Sequence, residues 1–554
     1  MAVAVRQASV PATPEPISDV LATIPTWWAR RAAAAELPAE WRDWRLALTA
    51  PPAPLSGAPL EELYDANPVE LGEAYVAASD PTTRLDEGRH YTPSALAAAL
   101  WHELTEAGCS GGTVVDPACG TGVLLLEPLR QLVASSGDPR SILEAAPHLI
   151  SGTDLDPIAV WLGNALLAAE LLPAWAQMSD GERRPLPRLL QVADGLFANG
   201  LAPQTVVMNP PYGRVRLDGL ARSRWLDSLF GHSNRYALFL HSAIDRVAAG
   251  GLVAALVPTS FLGGAYYQRL RAFVADRAPL VRLTFVDARA GVFAGNVLQE
   301  TCLAVFEKGA KPSGVTCSQI RVNGAARRVR LPAAPSPSRQ STGPWLLPRR
   351  ADDGPIISVA AHLEAGLRDY GWKASTGPLV WNRHKLQIFP TDDGGRHPIL
   401  WAGDLDGGAI RRSPVREQQR WIALRAEDEF MKLAEPAVLV QRTTAPEQAR
   451  RLVVARLTRE TLADWGGEVV VENHVNVLRS WNPSSPLTAE LLDRLLQTPT
   501  FDRLYRCLTG TVAVSVYELE ALRFPLSETL TYWSELAPED LIRAVASYYR
   551  DGSA

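Results

Sequence analysis

The sequence predicts a doubly wound α/β sheet that carries its ligands along the carboxyl edge, followed by a second, mixed α+β domain. Three observations predict it. Four short apolar runs end in turn in a glycine loop (Asp116 to Gly122), in Asp154, in Asp194 and in Asn209-Pro210-Pro211-Tyr212. In open α/β sheets, ligands collect in the crevice outside the carboxyl ends of the strands. Helical patterns lie between the runs, and the chain of 554 residues with 47% hydrophobic content has room for two to three domains.

The first station is Val114-Val115-Asp116-Pro117-Ala118-Cys119-Gly120-Thr121-Gly122, which reads as strand, glycine loop and helix. Glycines at 120 and 122 allow positive φ and a close approach of backbone to ligand, while the helix that follows offers free N–H groups. The third glycine of the dinucleotide fingerprint is missing, which disfavours a pyrophosphate. The second station, Leu149 to Asp156, ends in carboxylates suited to the two hydroxyls of a ribose. Its distance from Gly122 exceeds the usual ~20 residues, an excess assigned to an inserted loop around Ser135-Ser136-Gly137-Asp138-Pro139. The third, Leu189 to Gly195, offers Asp194 to an adenine amino group.

Asn209-Pro210-Pro211-Tyr212 closes the apolar run Thr205 to Met208 and is the most informative station. Pro210 and Pro211 remove two backbone donors and fix φ, so the carbonyls of Asn209 and Pro210 are expected to serve as acceptors. An exocyclic NH2 needs two acceptors. The ring of Tyr212 can lie against a base, a contact worth about 1–3 kcal/mol. Taken alone, the segment also reads as a proline turn that closes a buried strand. Further on, 250–258 reads as an apolar strand of the same sheet, and Thr259-Ser260-Phe261-Leu262 follows at its carboxyl end.

In this order, with Gly88-Arg89-His90-Tyr91-Thr92-Pro93 ahead of the glycine loop, residues 68–308 resemble the gamma-class N6-adenine DNA methyltransferases of bacterial restriction–modification systems. The resemblance implies a Rossmann-like class I sheet with S-adenosyl-L-methionine as cofactor. It implies that Tyr91, Thr92 and Pro93 lie beside the methionine part, that Asp116, Ala118, Gly120 and Gly122 cradle it, and that Asp154 and Asp194 take its ribose and adenine. Asn209, Pro210, Pro211 and Tyr212 would hold the target adenine, and Phe293, ahead of the strand at 301–306, would stack on its opposite face. A phenylalanine before a strand also serves as core. The alternatives are a methyltransferase acting on RNA or on a protein glutamine amide, which presents a similar planar NH2, and a non-catalytic DNA-binding subunit.

Composition narrows the partners. Net charge is −5, so a nucleic-acid partner must be met by local charge rather than by the sum. Residues 309–350 hold eight basic residues and no acidic one, amid Pro-rich and Ser-rich sequence. They read as an interdomain linker able to follow a phosphate backbone through Arg327, Arg328 and Arg330. Residues 351–554 read as a DNA target recognition domain with C-terminal helices. Arginines cluster there around Arg411, Arg412 and Arg442, interleaved with tryptophans. Only five of the 55 Lys+Arg are lysine, so arginine is the default cation and signals less than usual.

Residues 1–67 read as a helical extension of open role. Five cysteines without a Cys-x-x-Cys pair argue against a disulfide framework or a zinc site, and the chemistry needs no metal. No apolar run is read as a membrane span, and no signal peptide is seen, so cytoplasmic residence and no membrane partner are expected. No Asp/Glu-x-Lys nuclease core is present. Any restriction endonuclease is therefore expected to be a separate chain, and double-stranded DNA is the expected substrate.

Overall fold

The computed structural model describes residues 15–80, 92–135, 137–197, 200–287, 300–323, 325–337, 343–444, 448–508 and 513–552. The chain divides into two compact units, one of 1–258 with 272–313 and 319–329, the other of 259–271 with 314–318 and 330–554.

The first unit is built on nine strands: β1 (Val114–Asp116), β2 (Ile150–Asp154), β3 (Leu190–Val192), β4 (Thr205–Met208), β5 (Leu252–Pro258), β6 (Leu280–Asp287), β7 (Thr301–Glu307), β8 (Thr316–Asn323) and β9 (Ala325–Arg330). Their spatial order is β9-β8-β6-β7-β5-β4-β1-β2-β3. β1 pairs in parallel with β2 and β4, β2 with β3, and β4 with β5, whereas β7 runs antiparallel between β5 and β6. This reversed seventh strand, with the chain order switching between β1 and β4, is the expected Rossmann-like class I sheet. Every residue of β4 and β5 is buried, as parallel strands covered on both faces require. All the motif-bearing strand ends from β1 to β4 therefore open on one edge.

Residues 15–80 join the core of this unit instead of standing apart. Helix α1 (Glu15–Ala34) buries Trp27 and Trp28 completely, and Trp41 and Trp44 meet Trp175 and Trp161 edge to face at 5.6 and 6.0 Å. Helix α2 (Pro68–Ala78) begins at a reciprocal cap between Asn67 and Glu70. Pro157–Ala176 is long and apolar enough by composition to cross a membrane, which the sequence reading missed because Asn164 and Glu170 interrupt the run; 78% of its window is buried. Its helix starts on the carboxylate of Asp156.

Two boundaries differ from expectation. Thr316–Asn323 and Ala325–Arg330 form β8 and β9 at the sheet edge, where a linker was expected. Residues 259–271, expected in the catalytic domain, cluster with the second unit, because the buried Arg271 donates to the carbonyls of Phe261, Gly264 and Gly343 and to the Tyr517 hydroxyl. The second unit holds a four-stranded antiparallel sheet (372–376, 475–480, 437–441, 454–457), a five-stranded sheet, and helices from Ala489 onward.

The helix Ser94–Glu106 sends Glu103 onto the sheet. Its carboxylate accepts from Thr284 (2.6 Å), from Arg282 (2.7 Å) and from Arg328 of β9. Burial pushes the carboxyl up, but these three donors outweigh it and hold its pKa below the ordinary range. Glu103→Ala leaves two arginines facing a buried void, so it should lower stability by about 3 kcal/mol. The contribution of Glu103 is present above the ordinary glutamate range and is lost as pH falls through the depressed pKa. Urea denaturation of both proteins at pH 7 and pH 3.5 checks this; the gap should narrow at the lower pH.

Candidate cofactor and base-binding site

The loop after β1 is shaped by its own side chains. Asp116 is buried and accepts the N–H of Ala118 at 3.0 Å, which turns the chain, while Gly120 and Gly122 take left-handed φ of +52° and +80°. A Cβ at Gly120 would project into open space, whereas one at Gly122 would press on Leu167 and Leu190 methyls at 3.2 and 3.3 Å. Gly120 thus faces outward and Gly122 faces the core. The N–H of Gly120 donates to Asp154 at the end of β2 (2.9 Å), and that of Cys119 to the Thr153 carbonyl (3.0 Å).

Three glycines outside the expected set brace this loop from behind. A Cβ on Gly195 would come within 1.8 Å of the Pro117 carbonyl oxygen, one on Gly163 within 2.9 Å of the Thr121 carbonyl, and one on Gly152 within 2.8 Å of the Cys119 Cβ. Gly163 carries the signal that could have found them. A glycine inside a long apolar helix costs about 1 kcal/mol, so its presence points to a close backbone approach.

The two acidic residues after β2 divide their work. Asp156 caps the following helix through Ile158 and Ala159 and receives the Tyr75 hydroxyl at 2.8 Å. Asp154 holds the Gly120 N–H on one oxygen and the Asp156 N–H on the other. Asp194 sits beside it, since Ala193 donates to the Asp154 carbonyl, and its carboxylate receives the Leu196 N–H at 3.0 Å. Leu155 and Val192, both large, apolar and more than half exposed, lie at the same strand ends. The sequence reading passed over both.

At the end of β4, the amide nitrogen of Asn209 donates to the Thr92 hydroxyl at 3.0 Å. Thr92 is buried and Asn209 is partly open. The bond ties the amide to the segment that leads into the Ser94–Glu106 helix. Pro93 ends the same segment as the N-terminal residue of the Ser94–Glu106 helix, its carbonyl taking the N–H groups of Leu96 and Ala97. The Tyr212 hydroxyl donates to the Leu256 carbonyl of β5 at 3.2 Å and its ring meets Tyr236 edge to face. Burial pushes its phenol well up. Thus Thr92, Asn209 and Tyr212 gather at one edge; Tyr91 and Phe293 lie outside the described residues.

The arginines expected to contact DNA are placed variously. Arg327 and Arg330 are exposed on β9, whereas Arg328 is committed to Glu103. In the second unit, Arg411 pairs loosely with Asp406 (3.6 Å), Arg412 packs on Trp421 and Trp465, and Arg442 donates to the Asn473 carbonyl. No three His, Cys, Asp or Glu among the described residues could hold a metal ion.

These residues fit S-adenosylmethionine. An outward-facing glycine loop can pass along a compact amino-acid moiety, paired carboxylates suit ribose and an amino group, and exposed Leu155 and Val192 suit an adenine ring. Burial raises the Asp116 carboxyl to about 8, with the Ala118 N–H opposing and Asp154 adding to the rise. A raised carboxyl pKa gives stability that is complete below the unfolded value and is lost as pH climbs toward 8. Asp116→Asn keeps the turn without the charge. Its melting midpoint should therefore overtake that of the wild type as pH is raised from 4 to 8, a trend that thermal scans across that range would reveal.

No protein-family model matches the chain. The type II methyltransferase M.BsuBI of Bacillus subtilis is 22% identical over 462 residues, covering 80% of this chain and 88% of the relative. The type II methyltransferase M.PstI of Providencia stuartii is 26% identical over 337 residues, covering 58% and 65%. Among solved structures, the type IIL restriction-modification enzyme MmeI in complex with DNA superposes with a TM-score of 0.52 at 12% identity, over 95% of this chain and 84% of that one. The relatives are type II methyltransferases, and the sheet order with its reversed seventh strand is the Rossmann-like class I arrangement.

Proposed function

We propose that the chain is a site-specific DNA methyltransferase that modifies the N6 amino group of an adenine turned out of the duplex, as the modification enzyme of a restriction–modification system. The observation that carries the reading is Asn209, whose amide is oriented by Thr92 at the carboxyl end of β4, on the edge where Asp154 and the glycine loop lie. Two type II methyltransferases among its relatives, and the DNA held by its structural neighbour, support duplex DNA as substrate.

The chemistry asks for acceptors. An adenine amino nitrogen is a weak nucleophile because its lone pair is delocalised into the ring. Asn209 Oδ1 and the Pro210 carbonyl would each accept one of its hydrogens and draw the nitrogen toward tetrahedral geometry. Bound S-adenosylmethionine supplies the electrophilic methyl group on its sulfonium. Tyr212 would stack on the base, offsetting the few kcal/mol that extrusion costs, and its bond to Leu256 presets the ring so that little is lost in ordering it. Pro211 stiffens the turn, and Phe293 would cover the other face. Asp154 would accept the ribose hydroxyls on the lone pairs that its bonds to Gly120 and Asp156 leave open, and Asp194 would take the adenine amino group. Tyr91, Thr92, Pro93, Asp116, Ala118, Gly120 and Gly122 would enclose the methionine end.

In the second unit the reader of the target site would lie among 351–554, with exposed Arg327 and Arg330 on phosphate. A nuclease partner would be a separate chain. The recognition site itself is accessible by single-molecule sequencing of DNA from cells that express the protein.

Calorimetric titration of S-adenosylmethionine should show at least a tenfold loss of affinity in Asp154→Ala, since ribose and loop both lose their carboxylate. Wild-type affinity in that variant would remove Asp154 from the site.

Asn209→Ala should reduce methyl transfer to duplex DNA by more than a hundredfold, the size expected when a donor or acceptor acting on the reacting group is lost. Cofactor affinity should stay within about threefold. Tyr212→Phe gives up one hydrogen bond, about 1 kcal/mol, and should lose less than tenfold in rate, while Tyr212→Ala should lose far more. Single-turnover assays with saturating cofactor separate these outcomes; equal losses in the Phe and Ala variants would show that the hydroxyl and not the ring face matters.

A further inference from the structure

Two turns of the second unit converge on one indole. The turn Lys385–Gln387 brings the Lys385 ammonium over the Trp381 ring at 5.5 Å, and the turn Pro414–Arg416 brings the Arg416 guanidinium over it at 5.2 Å. Arg416 also lies 4.6 Å from the ring of Trp401, which meets Trp381 at a centroid distance of 6.3 Å. Beside each stacked cation, in the next or preceding position, stands a large apolar side chain turned to solvent: Leu386 is 94% exposed and Val415 is 82% exposed.

Both tips are rigidly mounted. The Ser413 N–H donates to the fully buried Asp404, which also receives Arg420 and the Trp401 N–H, and Ser413 in turn receives the Val415 N–H. Gln387 ties the other turn to the Ala423 carbonyl at 3.0 Å and to His384 at 2.9 Å. Ordering these loops has thus been done in advance of any partner. A single exposed leucine means little, but two apolar tips on braced turns that share one aromatic platform are a shaped feature.

The charge of the tips says what covers them. Residues 381–387 and 411–417 carry five arginines and lysines (Arg383, Lys385, Arg411, Arg412, Arg416) against a single acid, Glu417, with Asp428 facing His384 and Gln387 and Asp406 facing Arg411 from neighbouring segments. Arg383 and Lys385 are exposed and have no carboxylate at ion-pair distance among the described residues. Apolar side chains flanked by cations are the arrangement by which proteins press between base steps while holding the phosphates on either side. A protein surface or a second copy of this chain would have to offer matching acids around an apolar socket.

We propose that Leu386 and Val415 form a wedge that enters a base-pair step of the bound duplex, away from the methylated adenine, with Arg383, Lys385 and Arg416 on the flanking phosphates. This rests on the reading that the chain modifies duplex DNA. Unstacking at a defined step would add selectivity for flexible steps without a hydrogen bond to any base.

The test uses the full chain and duplexes that contain its methylation site, each with 2-aminopurine at one position. The wild-type protein should raise fluorescence severalfold at the methylated position and, separately, at one step elsewhere. The Leu386→Ala/Val415→Ala variant should abolish the second rise, keep the first, weaken duplex binding about tenfold, and leave cofactor affinity and melting temperature unchanged. Leu386→Met with Val415→Ile should restore the second rise. No rise away from the methylated position, or one that survives the double alanine variant, overturns the wedge while leaving the methylation reading intact. Failure of the wild type to bind or methylate any duplex overturns both. A change of oligomeric state in the double variant with unaltered DNA signals assigns the tips to a second copy and overturns the proposal as well.

Discussion

The hydrogen bond from the Gly120 N–H to the Asp154 carboxylate is the constraint on which the site depends, because it ties the loop after β1 to the end of β2 and fixes where both can meet a ligand. A hydrogen bond to a charged group is worth about 1.5–3 kcal/mol, enough to hold a loop that has two residues in left-handed conformations. The glycines at 152, 163 and 195 make the bond reachable: a Cβ at any of them would come within 3.0 Å of the loop at Cys119, Thr121 or Pro117, so the loop would have to shift. The sheet order then does the rest. Since β1 lies between β2 and β4, the loop has the carboxylates on one flank and Asn209 on the other.

The bond between Asn209 and Thr92 has the same character at the second flank. Thr92 anchors the amide across a separation of more than a hundred residues, which gives the segment before the Ser94–Glu106 helix a reason to pass along the sheet edge. Tyr212 is fixed likewise through Leu256. Both side chains are thus held by the protein itself, and under the proposed reading they would need little ordering when a base binds.

Much of the first unit was legible in the sequence because chemistry and strand ends coincide: Asp116, Asp154, Asp194 and Asn209 each follow a short apolar run, and the structure puts every one on the same edge. What was not legible depended on tertiary packing. Asp156 stands directly before Pro157, a local signal for a helix start, but its second partner, the Tyr75 hydroxyl, lies eighty-one residues away and could not be read from the sequence. The basic run at 309–350 looked like a linker because its prolines, serines and arginines have no strand alternation strong enough to announce β8 and β9, and Arg328 looked available because its partner Glu103 lies more than two hundred residues away. Leu155 and Val192 were passed over for the opposite reason, since apolar residues at strand ends read as core until their exposure is seen.

The central claim is that the methyl group goes to adenine N6 in DNA. The most direct measurement incubates the purified protein with unmodified duplex DNA and S-adenosylmethionine carrying a deuterated methyl group, digests the DNA to nucleosides and weighs them by mass spectrometry. The proposed reading, in which Asn209 and the Pro210 carbonyl hold the amino group of an adenine, predicts the label in N6-methyldeoxyadenosine alone. Label in a methylated cytosine, or in RNA or protein supplied in the same tube while the DNA stays unlabelled, would contradict that claim.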